Sequence, residues 1–248
     1  MNYNKETVTK YVDDSGNEIY SDDVTFDFVA GDLQSGVNSV TIKSNDDKVY
    51  KNDPYSDKET PEVAYTLTTV DLKNAGINIE EDGSYKVSAD VTDNYGNRTT
   101  AEKTIYIDTK DPELVDGEEA VTFDHRNDSG IAKAINFLSF GTFFNEKIEI
   151  TVKVQDDIAG IKDLYVHANP SNGQEVNKLA ADITRDGLNA AATFTLDDES
   201  FKGTFDVVVT DHVGNQGIYR VTAGNSNIKA EGNDELMIEK TSPTADIP

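Results

Sequence analysis

The chain contains an internal repeat, and a repeat limits the fold more strongly than any other feature of a sequence. Moving the sequence by 124 positions places Gly36 on Gly160 and aligns two stretches in which apolar and polar residues alternate. The aligned apolar residues are Val24, Phe26, Phe28 and Ala30 in the first copy and Ile148, Ile150, Val152 and Val154 in the second. Alternation with a period of two predicts a strand that buries one face.

A second pair of matching segments begins at Gly83 and Gly203 and ends in the string D-x-x-G-N. Threonine-rich runs at 63–70 and 191–196 precede them and predict further strands. The D-x-x-G-N strings predict hairpins, because Asp caps a turn with its side chain and Gly-Asn tolerates positive φ. The residues predicted to face the core are Tyr85, Val87, Ala89 and Val91 in the first copy and Phe205, Val207 and Val209 in the second.

Each copy closes with an apolar strand, a polar hinge and a proline, at Pro112 and Pro243. Polar hinges of this kind are typical of domain boundaries. The sequence therefore predicts domains at 1–110 and 111–243, and residues 244–248 are expected to begin a further repeat.

The second copy is expected to differ from the first in two places. An N-cap at Asp128-Ser129, spaced apolar residues and Gly141 predict one short helix at about 131–140. The longer path from the hairpin to Pro243 predicts an insertion at about 222–234. All other segments favour β-structure, so the fold class is all-β with two tandem sandwiches.

The charge of the chain excludes one class of function. The sequence has 22 Lys and Arg against 47 Asp and Glu, which gives a formal net charge of −25. A polyphosphate backbone would be repelled, so we expect no nucleic-acid partner. Divalent cations would be attracted. The chain has no Cys and no continuous apolar run, which excludes disulfides and predicts no membrane insertion.

The strings D-x-x-[SA]-G-[VI], V-T-D-x-x-G-N and I-D-x-x-x-P resemble the bacterial immunoglobulin-like repeats of Gram-positive cell-surface proteins. The resemblance covers residues 20–243, and residues 135–154 are similar to modules of gut Firmicutes. It implies two immunoglobulin-like Greek-key sandwiches, no shared catalytic residue, and an extracellular protein that is secreted or anchored to the cell wall, with signal and anchor outside residues 1–248. It also places Tyr85 at the tyrosine corner, where the second copy has Phe205.

The resemblance also predicts where carboxylates converge. In an immunoglobulin sandwich, the B–C loop and the F–G hairpin lie beside the incoming linker. In the second domain these segments carry Asp108, Asp111, Asp156, Asp157 and Asp211, which we predict to form an interdomain calcium site. The alternative is that the loop aspartates cap turns through their own backbone. No cofactor is otherwise required.

The function we expect is non-enzymatic binding by a monomeric adhesin module whose partner is mucin, a matrix protein or immunoglobulin, besides the neighbouring repeats of its own chain. A structural spacer is the alternative. An accessory domain of a carbohydrate-active enzyme is a second one, weakened because the chain has no Trp. No catalysis is expected, because the three histidines, His125, His167 and His212, are distributed without triad spacing.

Overall fold

The computed structural model describes residues 10–21, 25–43, 49–54, 62–68, 82–115, 120–126, 142–170, 177–197, 202–221 and 236–238. Every regular element in these residues is a β-strand. Among them no helix is long and apolar enough to cross a bilayer. The helix predicted at about 131–140, the insertion at about 222–234 and the repeat start at 244–248 lie outside the described residues.

The chain divides into two compact units. The first extends from Glu6 to Lys110, and the second contains Asp111–Pro248. The division falls inside the polar hinge that Pro112 closes in the sequence.

The first unit forms two described sheets. Its strands are β1 (Tyr11–Val12), β2 (Glu18–Tyr20), β3 (Thr25–Gly31), β4 (Val37–Lys43), β5 (Val49–Pro54), β6 (Glu62–Thr68), β7 (Gly83–Asp93) and β8 (Arg98–Ile107). One sheet has the order β1-β2-β8-β7-β4-β5, and β3 pairs with β6 in the other. The β2–β8 pair is parallel. The core joins both sheets, because Ala30 of β3 clusters with residues of β4, β7 and β8.

The predicted facing of β7 is confirmed. Val87 and Ala89 are buried, and Tyr85 and Val91 pack partly buried against the same cluster. The strand therefore turns alternate side chains toward the core, as its sequence pattern indicates.

The second unit has more strands and one continuous hydrogen-bonded sheet. Its strands are β9 (Glu113–Leu114), β10 (Val121–Arg126), β11 (Thr142–Gln155), β12 (Ile161–Pro170), β13 (Asn177–Leu179), β14 (Thr184–Asp186), β15 (Asn189–Leu196), β16 (Lys202–Asp211), β17 (Gln216–Val221) and β18 (Leu236–Ile238). The order is β13-β12-β16-β18-β11-β15-β14, with β9 and β10 on β11 and β17 on β16. β18 joins the two halves, because it pairs with both β11 and β16.

The strands of the two units are paired in the same pattern. β3 with β6 corresponds to β11 with β15, and β4-β7-β8 corresponds to β12-β16-β17. Immunoglobulin sandwiches pair strand B with E, and strand C with F and G, in the same way. In that nomenclature β11 is strand B, β12 is C, β15 is E, β16 is F and β17 is G.

The apolar residues of β11 confirm the predicted alternation. Ile148, Ile150, Val152 and Val154 each have 0% exposed surface. Fully burying a branched aliphatic side chain contributes about 1.5–3 kcal/mol. This strand therefore supplies a large part of the core of the second unit.

β16 is buried on both faces, which its sequence pattern did not predict. Phe205 faces the core as expected, but Asp206 and Val208 on the opposite face are only 2% and 0% exposed. Val208 pairs with Tyr165 of β12 and Ile218 of β17. The buried Asp206 carboxylate accepts a hydrogen bond from Arg220 of β17. A central strand between two partners is covered by their side chains.

Three hairpins share one geometry, and all three carry the D-x-x-G-N string. In the β7–β8 hairpin, the Asp93 carboxylate accepts the N–H groups of Tyr95 (2.9 Å) and Asn97 (2.8 Å) and the side-chain amide of Asn97 (2.7 Å). Gly96 has φ 86°. The β1–β2 hairpin repeats these bonds around Asp13, and the β16–β17 hairpin repeats them around Asp211. Gly supplies the positive φ, while Asn holds the carboxylate.

Glu18 of β2 is the centre of an ion cluster on the first unit. Its carboxylate contacts the Lys10 ammonium, the Lys103 ammonium at 2.6 Å and the Tyr20 hydroxyl at 3.0 Å. The hydrogen bond from Lys10, followed by that from Lys103, lowers the pKa of Glu18 from its ordinary 4.5 to about 2. The ionised form is therefore the one that the folded unit stabilises.

We predict that Glu18→Gln lowers the melting temperature by a few degrees at pH 7. Because the pKa is lower in the folded than in the unfolded chain, the stabilisation is present above about pH 4.5 and is lost as the pH falls to about 2. The difference between the two proteins should therefore be constant above about pH 5 and shrink below pH 4.5. Glu102→Gln is the control, because Glu102 pairs with Lys86 at 2.8 Å on the exposed face. A difference that is independent of pH down to 2 would contradict the assignment.

Candidate functional site

The loop between β3 and β4 in the first unit, residues 32–36, is folded around one carboxylate. Asp32 Oδ1 accepts the N–H groups of Gln34 (2.9 Å), Ser35 (2.6 Å) and Gly36 (3.1 Å). Gly36 has φ 73°, a conformation that favours glycine. The Ser35 bonds come first among the causes that lower the pKa of Asp32. This B–C loop therefore keeps its aspartate ionised and its backbone fixed.

The same loop is bonded to the β7–β8 hairpin, residues 93–97. The Ser35 hydroxyl lies 2.9 Å from Asp93 Oδ2 and 3.0 Å from Asp32 Oδ1, so that its single proton is shared between the two carboxylates and bridges them. Asn94 donates its N–H to Gly36 O (3.3 Å) and its side-chain amide to Ser35 O (2.7 Å). We call these two segments the first loop pair. Its members form one preorganised surface rather than two independent loops.

The second unit has an equivalent pair, residues 156–160 and 211–215, which we call the second loop pair. Asp156 Oδ2 accepts the N–H groups of Ile158 (3.1 Å) and Gly160 (2.7 Å). His212 donates its N–H to Gly160 O at 3.1 Å, as Asn94 does to Gly36 O in the first pair. Asp156 therefore caps a turn through its own backbone, as Asp32, Asp93 and Asp211 do.

The two loop pairs differ at the position of the bridging serine. The position of the bridging Ser35 is occupied by Ala159, which is buried and has no hydroxyl. Carboxylate oxygens of Asp156 and Asp211 nevertheless lie within 4.8 Å of each other. The second loop pair thus brings two acidic groups together without the serine that bridges them in the first.

The two loop pairs also differ in electrostatics, because Asp211 is more deeply buried than Asp93. Hydrogen bonding, first from the Asn97 side chain, lowers the pKa of Asp93. Asp211 is fully buried, and its burial raises its pKa to about 6, with the Asp156 charge acting in the same direction and the Asn215 bonds opposing it. The second loop pair therefore favours an added positive charge, as a proton or a cation.

The residues of the predicted calcium site are distributed as follows. Asp156 and Asp211 come together within the second unit. Asp111 accepts the Gln216 N–H at 3.0 Å, and Asp157 is exposed. Asp108 is buried and follows β8 in the first unit, where its N–H bonds Tyr20 O at 2.8 Å. A site that combines all five stays a prediction.

The histidines occupy separate elements. His125 lies in β10, His167 in β12 and His212 in the second loop pair. The His167 ring meets the Tyr165 ring edge-on at 5.0 Å, and burial lowers its pKa. Absence of catalysis stays a prediction.

Sequence reasoning missed the residues that join the loops. Ser35 and Asn94 act across 58 and 59 positions of the chain, which no local pattern reveals. It also missed Leu33 and Tyr95, whose side chains are 94% and 86% exposed at the first loop pair. A comparison of the two aligned copies could have pointed to these positions, because Ser35 aligns with Ala159 and Tyr95 aligns with Val213.

No protein-family model matches the chain. No curated protein matches it either. Solved structures match distantly. A chimeric titin Z1Z2-Z1Z2 tandem carrying a fibronectin peptide is 13% identical, with a TM-score of 0.25 over 89% of this chain and 93% of that one. A tetra-tandem repeat from the extending region of a large adhesion protein is 15% identical, with a TM-score of 0.27.

This chain covers 55% of that adhesion-protein structure, and 86% of this chain is aligned. BcpA, the major pilin subunit of Bacillus cereus, is 11% identical with a TM-score of 0.20, over 80% of this chain and 67% of the pilin. The strand pairing, rather than these scores, carries the assignment of the fold.

We predict that Ser35→Ala destabilises the first unit by about 1 kcal/mol, because it removes the hydroxyl bridge between Asp32 and Asp93. Ala159→Ser is the matched change in the second unit. It places a hydroxyl at the position that Ser35 occupies in the first unit, so it should cost less than the first change or stabilise the chain. Urea denaturation of the full chain measures both. Equal losses of stability would show that the hydroxyl is not the reason for the difference between the loop pairs.

Proposed function

We propose that the chain is a non-enzymatic binding module of a bacterial cell-surface protein, built from two tandem immunoglobulin-like domains. The observation that carries the proposal is the first loop pair. Two loops are bonded to each other on a strand scaffold, and their outermost side chains are left to solvent. Binding residues are commonly placed on loops that a rigid scaffold positions.

The charge of the chain supports an extracellular binding role. A net charge of −25 keeps a protein soluble at high local density and disfavours phosphate-rich partners. We propose that the partner is a host protein or glycan such as mucin, a matrix protein or immunoglobulin. The localisation we propose is extracellular, either secreted or attached to the cell wall.

We predict that the full chain binds at least one of purified mucin, fibronectin, collagen or immunoglobulin in a saturable manner. Surface plasmon resonance over a concentration series measures it. Saturable binding would exclude the function of a pure spacer. If none of the four surfaces binds the chain, the adhesin proposal is wrong and the spacer takes its place. Neutral oligosaccharides on the same instrument test the accessory-domain alternative.

We propose in addition that the second loop pair binds calcium. The supporting observations are the short distance between the Asp156 and Asp211 oxygens and the raised pKa of Asp211. Calcium takes six to eight oxygen ligands, and nearby carboxylates repel each other less when a cation lies between them. Asp108, Asp111 and Asp157 are the further ligands that the proposal includes.

We predict that millimolar calcium raises the melting temperature of the full chain by a few degrees, and that Asp156→Asn removes this increase. Asp32→Asn is the matched control, because Asp32 occupies the same loop position in the first unit, where Ser35 bridges the carboxylates. The quantity compared is the increase caused by calcium, not the melting temperature itself. No increase in the wild-type chain, or an increase that survives in Asp156→Asn, would contradict the site.

A further inference from the structure

The first loop pair exposes two large apolar side chains. Leu33 of the B–C loop is 94% exposed, and Tyr95 of the F–G hairpin is 86% exposed. The loops are bonded through Ser35 and Asn94, which lie two residues and one residue away from these side chains. We call Leu33 and Tyr95 the tip residues. Both lie at the same end of the first unit.

The fold itself does not require apolar residues at the tips. Tyr95 takes part in its turn through its backbone, because it donates its N–H to Asp93 Oδ1 at 2.9 Å. In the second loop pair the aligned residues are Asp157, which is exposed, and Val213, which is 1% exposed. The same turn thus accepts a charged residue or a buried one. Exposure of Leu33 and Tyr95 is a property of this unit.

The tip residues are also held in place at little entropic cost. Asp32 and Asp93 fix the two turns by accepting five backbone N–H groups, and Gly36 and Gly96 take the positive φ that the turns need. A tyrosine has few rotatable bonds, so a Tyr on a fixed turn loses little freedom when it binds. Preorganised aromatic side chains are typical of binding hot spots.

The surroundings of the tip residues indicate the chemistry of the partner. Residues 32–38 and 93–97 contain Asp32 and Asp93 but no Lys or Arg. The remaining polar side chains are the neutral Gln34, Asn38, Asn94, Asn97 and Ser35. An anionic partner would be repelled. A leucine this exposed makes no hydrogen bond to sugar hydroxyl groups, which favours an apolar protein surface over a glycan.

We propose that Leu33 and Tyr95 are the binding residues of the first unit and insert into an apolar depression of a partner protein whose rim is neutral or basic. This inference rests on the proposed binding function and names the surface that performs it. Loops at this end of an immunoglobulin sandwich are placed to meet a partner together.

Selection of a phage-displayed 12-residue peptide library on the immobilised full chain tests the proposal without knowledge of the natural partner. We expect selected peptides to be rich in apolar residues and poor in Asp and Glu. Synthetic copies should bind the double variant Leu33→Ser, Tyr95→Ser about tenfold more weakly or worse. Both side chains are exposed, so the double variant should keep the wild-type melting temperature.

Leu188→Ser is the matched control, because Leu188 is a leucine of the second unit that is 40% exposed in the β14–β15 turn. Peptide affinity should be unchanged in this variant. Failure to enrich peptides, or equal affinity for the double variant, overturns the assignment. So does self-association of the wild-type chain that the double variant abolishes, because the occupant would then be a second copy.

The two proposals fail separately. If mucin, fibronectin, collagen and immunoglobulin all fail to bind, the proposed adhesin function is lost while peptide selection still decides the role of the tips. If one of them binds the wild-type chain and the double variant equally, the function stands and the tip assignment is wrong.

Discussion

The structure depends on one local interaction, an aspartate that accepts the backbone N–H groups of its own turn. In the described part of the chain, five aspartates each accept two or more such N–H groups: Asp13, Asp32, Asp93, Asp156 and Asp211. The hairpin turns around Asp13, Asp93 and Asp211 set the register of the paired strands that they join, and a slip of one residue would move every apolar side chain of a strand to the wrong face. Asp32 and Asp156 instead fix loops between strands that pair with other partners. The capped turns therefore determine which residues can be buried together, and the composition of the core follows from them.

The capped turns also stabilise ionised aspartates without the help of cations. Cations are too few to pair with every carboxylate, since 22 Lys and Arg face 47 Asp and Glu. Hydrogen bonds to N–H groups lower the pKa of Asp13, Asp32 and Asp93 without any cation. Where burial outweighs these bonds, as at Asp211, the pKa rises instead. The pKa of the capping aspartate is thus lowered in an exposed turn and raised in a buried one, and solvent exposure determines the direction.

Local patterns predicted the strands, hairpins and core faces, because each of these follows from neighbours within a few positions. The facing of β7 and β11 and the capped hairpins belong to this group. Contacts between distant segments could not be predicted in this way. Burial of Asp206 requires Arg220 across a strand pair, and the Ser35 bridge requires a hairpin 58 positions later. Of the candidate site, sequence reasoning found the acidic residues and missed the hydroxyl that distinguishes one loop pair from the other.

The D-x-x-G-N hairpin separates the residues that build a turn from those that give it a function. The Asp carboxylate accepts the N–H of the second middle residue and that of Asn, and Gly takes the positive φ that the turn needs. These middle residues are Asp14-Ser15, Asn94-Tyr95 and His212-Val213 in the three hairpins. The Asn94 side chain bonds the neighbouring loop and Val213 is buried, whereas Tyr95 is exposed, so the second middle residue can be aromatic or aliphatic on the same turn. Tyr95 is 86% exposed and Val213 is 1% exposed, so the same turn holds an exposed side chain in one unit and a buried side chain in the other. Specificity in this chain is therefore expected to reside in exposed middle residues such as Tyr95, whereas Asp, Gly and Asn, together with middle residues that are buried or bonded, stabilise the turns.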